Sequence, residues 1–285
     1  MVIVILLVLG LCLGSFVNAL IWRLHEQEEK SSKSKNLNAQ RSTLNASDLS
    51  ILKGRSMCPN CHHELAVKDL IPVFSWLSLA GKCRYCNMPI SWQYPLVELL
   101  TAGLFVFSYA YWPFTFNNQG TILFIFWLVF LIGFMALAVY DLRWYLLPNK
   151  VIYPLFVLAV LQTTVILLAF HGGFSTLSRA GLGVLVGGGI FYALFQLSKG
   201  KWIGGGDVKL GALLGLIIGG PSESLLMIFI ASCLGTVVAL PLMITGKAKR
   251  GSRLPFGPFL ITAAIIVYLF GASLIAWYKR RFLLY

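Results

Sequence analysis

Charged residues are scarce in this sequence: only 12% of its 285 residues are Asp, Glu, Lys or Arg, whereas soluble globular proteins carry about a quarter. With 58% of the residues hydrophobic, this shortage excludes a water-soluble fold. The 23 basic and 10 acidic residues are also unevenly placed, because residues 23–94 hold 16 of them and the other 213 residues share 17. This distribution indicates a membrane protein with one polar insertion.

The start of the chain lacks the features of a removable signal peptide. Met1–Trp22 is apolar, without a basic beginning or a small-x-small cleavage pattern, and therefore predicts an uncleaved first membrane helix. Its Gly10 and Gly14, four residues apart, predict a close helix neighbour. Seven further apolar runs follow, at residues 95–112, 122–140, 151–170, 179–197, 208–218, 225–245 and 254–277. The sequence thus predicts an all-α polytopic membrane protein with about eight transmembrane helices. The sixth is short and rich in glycine, so we expect it to extend into the preceding loop or to be partly shielded by its neighbours.

Basic residues are nearly missing from every second loop. Nineteen follow odd-numbered helices, and one, Arg179, follows an even-numbered helix. Because cytoplasmic loops are enriched in Lys and Arg, we expect the odd loops in the cytoplasm and both termini outside. The basic tail at residues 279–281 disagrees, so a seven-helix count that places it inside stays open. Ten of the 23 basic residues lie in the insertion and most of the others flank apolar runs, so the net charge of +13 indicates a lipid bilayer as partner and no nucleic acid.

Three regions follow from this pattern. Residues 1–22 form the first helix, residues 23–94 a cytoplasmic loop, and residues 95–285 a domain of seven helices. Within the loop, residues 31–53 are rich in Ser, Asn and Lys with little to bury, which predicts a flexible tether. Residues 55–94 are expected to form a small folded module.

Cysteine is also rare, yet four of the six cysteines form two C-x-x-C pairs in this module: Cys58, Cys61, Cys83 and Cys86. The 21 residues between the pairs are close to the spacing of two knuckles that wrap four thiolates around one zinc ion. A module of about 40 residues has too little hydrophobic core to fold unaided, so a structural metal is expected to stabilise it. Because thiols in the cytoplasm stay reduced, the cysteines are expected to bind metal rather than form disulfides. A thiol oxidoreductase or two unlinked pairs are the alternatives. His62 and His63 are expected to be exposed, since four cysteines complete the shell.

Only four Asp occur, and Asp141 and Asp207 lie at the edges of apolar runs. Taken singly, Asp207 is explained as a helix N-cap and Asp141 as an interfacial ion pair with Arg143. The topology, however, puts both at the cytoplasmic side and at similar depth. Two adjacent carboxyls that share a proton suit amide hydrolysis, because one activates water while the other protonates the leaving group.

Three sets of residues are candidate substrate contacts. Gly204, Gly205 and Gly206 lack side chains before Asp207 and admit an extended peptide backbone. Glu98 lies one turn into the second helix, where it holds a cationic substrate segment or is simply interfacial. The stretch from Pro255 to Gly257 leaves backbone groups free for a substrate strand, or is a helix start with proline in its first turn.

Together these segments resemble the type IV prepilin peptidases, the bifunctional leader peptidase and N-methyltransferase family of bacterial pilus and type II secretion systems. The matching stretches are residues 14–24 (GSFVNALIWRL), the two cysteine pairs, residues 71–77 (IPVFSWL), residues 94–98 (YPLVE), Asp141 with Pro148-Asn149, and residues 204–209 (GGGDVK). They occur in family order over most of the chain.

The resemblance implies that Asp141 and Asp207 are catalytic and that the four-cysteine module is associated with methyl transfer. It implies prepilin or pseudopilin substrates, S-adenosylmethionine as methyl donor, and a multi-pass protein of the bacterial inner membrane with its active site toward the cytoplasm. The rival hypothesis is an ion or solute transporter that uses the same two acids as coupling groups.

Overall fold

The chain is helical in a computed structural model described for residues 1–34, 49–50, 54–170, 172–246 and 254–282. Within these residues a 3-10 helix spans Val67–Leu70, and the only β features are the isolated bridges Met57–Glu64 and Lys82–Pro89. The α-helices are α1 (Val2–Ser34), α2 (Phe74–Ser78), α3 (Gln93–Ala110), α4 (Asn118–Trp144), α5 (Asn149–Ala169), α6 (Phe174–Ser198), α7 (Gly205–Ile218), α8 (Pro221–Ile244) and α9 (Gly257–Phe282). The predicted all-α architecture is confirmed.

Six of these helices are long and apolar enough to cross a membrane: α1, α4, α5, α6, α8 and α9. The other two predicted runs correspond to α3, with 18 residues, and α7, with 14 residues. At about 1.5 Å per residue, α7 reaches only about two thirds of a hydrocarbon core of about 30 Å. Large apolar side chains such as Val157 and Phe229 are exposed on the spanning helices, as lipid contact requires. The chain is a multi-pass membrane protein.

The first helix is longer than its apolar run, since α1 continues past Trp22 to Ser34. Its extension is rich in Glu, Gln and Lys, which favour helix, and His25 pairs with Glu29 one turn later at 3.3 Å. Arg23 donates to the carbonyl oxygen of Gly54 at 2.8 Å and so brings the start of the module back to α1. Most of the predicted tether, residues 35–48 and 51–53, lies outside the described residues.

The chain divides into two compact units, residues 1–110 and residues 111–285, called unit 1 and unit 2 here. In unit 1, α3 packs directly on α1. A Cβ atom added at Gly10 would lie 2.5 Å from Cα of Ala102, and one at Gly14 would lie 2.6 Å from Cα of Glu98. The close helix neighbour predicted for these two glycines is therefore α3.

In unit 2, the short helix α7 is packed against α6 through glycines on both helices. A Cβ atom at Gly187 would lie 2.5 Å from the carbonyl oxygen of Gly211, and one at Gly188 would lie 2.7 Å from Cβ of Ala212. Leu210 and Leu213 of α7 have no exposed surface. Small residues thus let the α7 backbone approach its neighbour closely, which shields a helix too short to span alone and fixes its N-terminus.

Candidate active site and cysteine cluster

Asp141 lies in the last turn of α4 and is only 5% exposed. Its carbonyl oxygen accepts the N–H of Tyr145 at 2.9 Å, and Tyr145 ends the helix in the left-handed conformation. The chain then passes through Pro148 into α5. Asp141 is therefore held at a helix end, as the sequence predicts, and the structure adds a tight turn next to it.

Asp207 lies in the first turn of α7, which begins at Gly205 rather than at the predicted Val208. Gly204 is the N-cap residue, and its backbone hydrogen-bonds the Asp207 carboxyl group. Gly206 is helical rather than an extended segment. The helix starts early because a carboxylate in the first turn interacts favourably with the N-terminal end of the helix dipole.

A single backbone amide orients Asp141. The N–H of Gly257, the first residue of α9, donates to Oδ2 of Asp141 at 3.0 Å. A Cβ atom at Gly257 would lie 2.7 Å from that oxygen, so a larger residue would push the carboxyl group away. Leu147 packs beside both Gly257 and Gly206 and thereby joins the starts of α9 and α7 to the turn after Asp141.

Both aspartates line one cavity of about 640 Å³, and they are close enough for their charges to interact. Gly204 and Pro255 also line it. Among the residues that the structure describes, the remaining wall is mostly apolar and aromatic, with one cation, and consists of Tyr145, Ile190, Phe191, Leu194, Gly200, Lys201, Trp202, Ile203, Ile228, Ser232, Leu254 and Phe256. A cavity of this size and character can take an extended, largely apolar peptide next to two acids.

The apolar wall was not predicted from the sequence. Phe191 and Phe256 meet edge to face at 5.8 Å between ring centroids, although they belong to segments 65 positions apart. Apolar residues of this kind occur in any membrane helix, so the sequence does not mark them as part of a site. Trp202, which is exposed and follows a lysine in a glycine-rich loop, is the lining residue whose sequence context could have indicated a substrate contact.

Glu98 belongs to unit 1 and is 6% exposed. Its Oε2 accepts the N–H of Val73 at 2.7 Å, and its side chain also hydrogen-bonds Ser15. Val73 has a positive φ of 62°, which is strained for a β-branched residue. Glu98 thus ties the entry of α2 to α3 and α1, and its predicted contact with substrate stays a prediction.

The two cysteine pairs form two equivalent turns. The N–H of Cys58 donates to the carbonyl of His63 at 3.0 Å, and that of Cys83 donates to Met88 at 2.9 Å. The residue after each second cysteine, His62 and Asn87, has φ near 56°. Each turn is also closed by one of the isolated β-bridges. The local backbone therefore repeats, which brings four sulfurs to one point.

The four sulfur atoms lie within 4.8 Å of one another, and those of Cys58 and Cys86 are 3.9 Å apart. Tetrahedral Zn–S bonds of about 2.3 Å would separate the sulfurs by about 3.8 Å. All four are free thiols, so the cluster can hold a metal ion. His62 and His63 are exposed, as predicted, and neither contributes to the cluster.

The environments of these thiols differ. Burial raises the pKa of Cys58 to about 12, whereas the backbone N–H of Met88 lowers the pKa of Cys86 to about 7. A divalent cation would offset the cost of a buried thiolate at Cys58. The chemistry of the donor set therefore fits a metal ion that keeps all four sulfurs deprotonated.

Asp69, on the 3-10 helix, fastens the second cysteine turn. Its Oδ1 accepts from Nε of Arg84 at 2.7 Å and its Oδ2 accepts from the hydroxyl of Tyr85 at 3.2 Å. Burial alone would raise the pKa of Asp69, but these hydrogen bonds outweigh it and hold the pKa below its usual value.

The sequence matches two family models. The Bacterial Peptidase A24 N-terminal domain matches residues 8–112, and the Type IV leader peptidase family matches residues 128–240. Two proteins named prepilin leader peptidase/N-methyltransferase, from Stutzerimonas stutzeri and Pseudomonas aeruginosa, are each 34% identical, and each alignment covers 96% of this chain and 92% of the relative. A type 4 prepilin-like proteins leader peptide-processing enzyme from Escherichia coli is 36% identical over 90% of this chain and 89% of its own. No solved structure matches.

Proposed function

The chain belongs to the type IV leader peptidase family, and we propose that it removes the leader peptide of type IV prepilins or pseudopilins and then methylates the new N-terminus. The observation that carries the peptidase proposal is that Asp141 and Asp207, from the ends of two different helices, line one cavity. The transporter hypothesis receives no support from these relatives, since their names describe peptide processing and methyl transfer.

Peptide hydrolysis by this pair requires one ionised and one protonated carboxyl group. The ionised group takes a proton from water as the water oxygen attacks the scissile carbonyl carbon. The protonated group donates its proton to the carbonyl oxygen, which gives a tetrahedral diol. As the C–N bond breaks, the carboxyl group that took the proton from water delivers it to the leaving amine nitrogen, and the other carboxylate takes a proton back from a diol hydroxyl. Because the N–H of Gly257 can only donate, Oδ2 of Asp141 accepts, and the shared proton lies on another oxygen of the pair.

The substrate backbone would enter between the two helix starts that carry no side chains. Gly204 lines the cavity, and a Cβ atom there would lie 3.6 Å from Oδ2 of Asp207, so its missing side chain leaves space for a backbone; Pro255 lines the same cavity, and Gly257 contacts Asp141. The aromatic wall formed by Phe191 and Phe256 would contact the apolar segment that follows the cleaved bond.

We further propose that Cys58, Cys61, Cys83 and Cys86 hold one zinc ion. Zinc favours a closed tetrahedral set of four thiolates, and the sulfur separations fit that geometry. A single ion would join the two turns of a module that otherwise has little core.

S-adenosylmethionine is the proposed methyl donor. When bound, it supplies a methyl carbon on a positively charged sulfur, so that the amine lone pair forms the N–C bond as the S–C bond breaks, the neutral thioether leaves, and the surplus proton passes to water. The role of this chain is to hold the donor and to present the new amino terminus.

We place the protein in the bacterial cytoplasmic membrane with both the module and the aspartate cavity toward the cytoplasm. The support is the distribution of basic residues, since Arg143 and Lys150 flank the turn between α4 and α5 and the loop before Asp207 carries Lys199 and Lys201. A cysteine-accessibility assay on intact cells, with single cysteines placed at Lys150 and Ser175, would test this orientation.

The function is tested by incubating the purified full-length protein with a prepilin and S-adenosylmethionine. Mass spectrometry should show loss of the leader followed by gain of one methyl group, and Asp207→Asn should show neither leader loss nor a new N-terminus. An intact prepilin after incubation with well-folded wild-type protein would overturn the proposal.

A further inference from the structure

Unit 1 contains a cavity that the peptidase reaction does not use. Its volume is about 120 Å³, and it lies between the middle of α1 and the cysteine module. Trp22 of α1, Trp76 of α2 and Tyr94 of α3 contribute aromatic rings to its wall. The Trp76 ring is fixed, because its Nε1 donates to the carbonyl of Ile90 at 3.1 Å and its ring contacts Trp92.

Polar groups also line this mostly apolar cavity. Arg23 is 5% exposed and donates to backbone carbonyls of the module, and the Asp69 carboxyl group is held by Arg84. The buried cysteines Cys58 and Cys83 also line the cavity. It therefore combines aromatic surfaces, a guanidinium cation and the sulfur cluster.

The two activities named in the relatives have different needs. The peptidase family model matches residues 128–240, which hold both aspartates, while a separate model matches residues 8–112, which hold this cavity. Methyl transfer needs a site for a nucleoside, and the sequence has no glycine-rich loop of the dinucleotide-binding kind. A nucleoside base must then be held by side chains, as stacking on aromatic rings allows.

We infer that this cavity binds the adenine ring of S-adenosylmethionine, with the sulfonium group toward Cys58 and Cys83. The inference rests on the proposed methyltransferase function. A cluster of four thiolates around one divalent ion is negatively charged overall, so it attracts a sulfonium cation. Because the cavity is smaller than the roughly 300 Å³ at which whole-ligand pockets begin, it accommodates the planar ring, and the amino-acid end of the donor lies outside it.

Two serines of the same short helix provide a matched test. Ser75 lines the cavity, whereas Ser78 is exposed and lies outside it. In full-length protein in nanodiscs, Ser75→Leu should weaken binding of radiolabelled S-adenosylmethionine at least about tenfold, while Ser78→Leu should change the Kd by less than about twofold. Zinc content reports whether each variant keeps the module folded. If the Ser75→Leu protein loses its metal, Ala19→Phe is used in place of that variant, because it fills the cavity from α1. Ala19→Phe should weaken binding of S-adenosylmethionine to the same extent.

The outcomes separate the inference from the function on which it rests. If the wild-type protein fails to bind S-adenosylmethionine, the methyltransferase proposal fails. If it binds and the metal-loaded cavity variants bind equally well, the cavity assignment is overturned while the function stands. Photo-cross-linking of the labelled donor should mark peptides within residues 15–94, and label confined to residues 111–285 would also overturn it. Adenosine should compete with the donor, and methionine should not.

Discussion

The cysteine cluster and the aspartate cavity bring reactive groups together by opposite means. In the cluster, each cysteine pair sits in a turn closed by its own backbone hydrogen bonds, and the two turns repeat each other. In the cavity, the aspartates come from different helices and are positioned by Gly257, Leu147 and the glycine contacts of α6 and α7. The first arrangement depends on local geometry, and the second depends on the close approach of whole helices.

This difference predicts which property each region loses when one of its reactive side chains is substituted. Loss of one sulfur removes a ligand that the whole module shares, so unit 1 should lose structure and metal together. Loss of one aspartate carboxyl proton leaves the helices packed as before, so unit 2 should lose chemistry and keep its structure.

The largest expected effect is on cleavage by unit 2. Asp141→Asn and Asp207→Asn each keep the size of the side chain but remove the titratable proton, so each should lower the rate of leader removal at least about a thousandfold. The double variant should be scarcely slower than either single one, because the pair acts as a unit. The rate is measured by gel shift or mass spectrometry of a prepilin, with zinc content and thermal stability as controls for folding. Near-normal cleavage by Asp141→Asn would refute the aspartyl mechanism.

The second effect concerns unit 1. Cys58→Ser should abolish zinc binding, make residues 55–94 sensitive to protease, and impair methylation more than leader cleavage, because the cysteines lie outside the aspartate cavity. Elemental analysis and limited proteolysis measure the first two effects.

Cys233→Ser is the matched control for that change, since Cys233 is exposed on α8 and takes no part in the cluster. It should keep zinc and protease resistance. If Cys58→Ser retained about one zinc per chain, the four-sulfur site would be wrong.

Sequence alone predicted the cluster more fully than the cavity. The spacing of Cys58 to Cys86 predicts four converging sulfurs because each turn is local. The common depth of Asp141 and Asp207 predicts that they meet, and both line one cavity. Neither the amide of Gly257 on Asp141 nor the position of Leu147 follows from a pattern, because both are contacts between helices far apart in sequence.

The helix ends were also imperfectly predicted, for a physical reason. The predicted end of α1 at Trp22 follows the apolar run, but helix-favouring polar residues continue the helix to Ser34. The apolar run of α7 begins at Val208, and extension of this short helix into the preceding loop is one of its two expected outcomes; contacts with Leu147 and the helix dipole support helix from Gly205.

The third prediction tests whether helix contact controls the chemistry in unit 2. Gly257→Ala would place a methyl group 2.7 Å from Oδ2 of Asp141 and displace that carboxyl group. Cleavage should fall by about 10- to 100-fold, as expected when a reacting group is moved by a fraction of an ångström to an ångström. Gly189→Ala is the control, since a Cβ atom there meets no atom within 4 Å. Equal cleavage rates for both variants would contradict the assigned role of Gly257.

The fourth prediction is that alanine substitutions at two glycines of α6, Gly187 and Gly189, change stability with opposite signs. Gly187→Ala forces a methyl group against the carbonyl oxygen of Gly211 and should destabilise unit 2 by about 1–3 kcal/mol. Gly189→Ala, in the same helix, should stabilise it by about 0.5–1 kcal/mol because alanine favours helix over glycine. Thermal unfolding in detergent measures both. Destabilisation of equal size at both positions would mean that α6 and α7 do not approach through Gly187.

The smallest expected effect is in unit 1. It measures how much the polar contacts of the cysteine module add to its stability beyond the contribution of the metal. Asp69→Asn removes the negative charge of the carboxylate that accepts hydrogen bonds from Arg84 and Tyr85. It should lower the free energy of unfolding of the module by about 1–2 kcal/mol. Glu64→Gln breaks the fully exposed pair with Arg55 and should cost less than about 0.5 kcal/mol. Because the pKa of Asp69 is lowered in the folded state, its contribution is present above the unfolded pKa of about 3.9 and is lost only as the pH falls through the lower, folded value. The difference between wild type and Asp69→Asn, measured as the urea midpoint for protease cleavage within residues 55–94, should therefore be the same at pH 7 and pH 5. A difference that shrinks between these two values would show that Asp69 titrates near pH 6, which is incompatible with the hydrogen bonds it accepts.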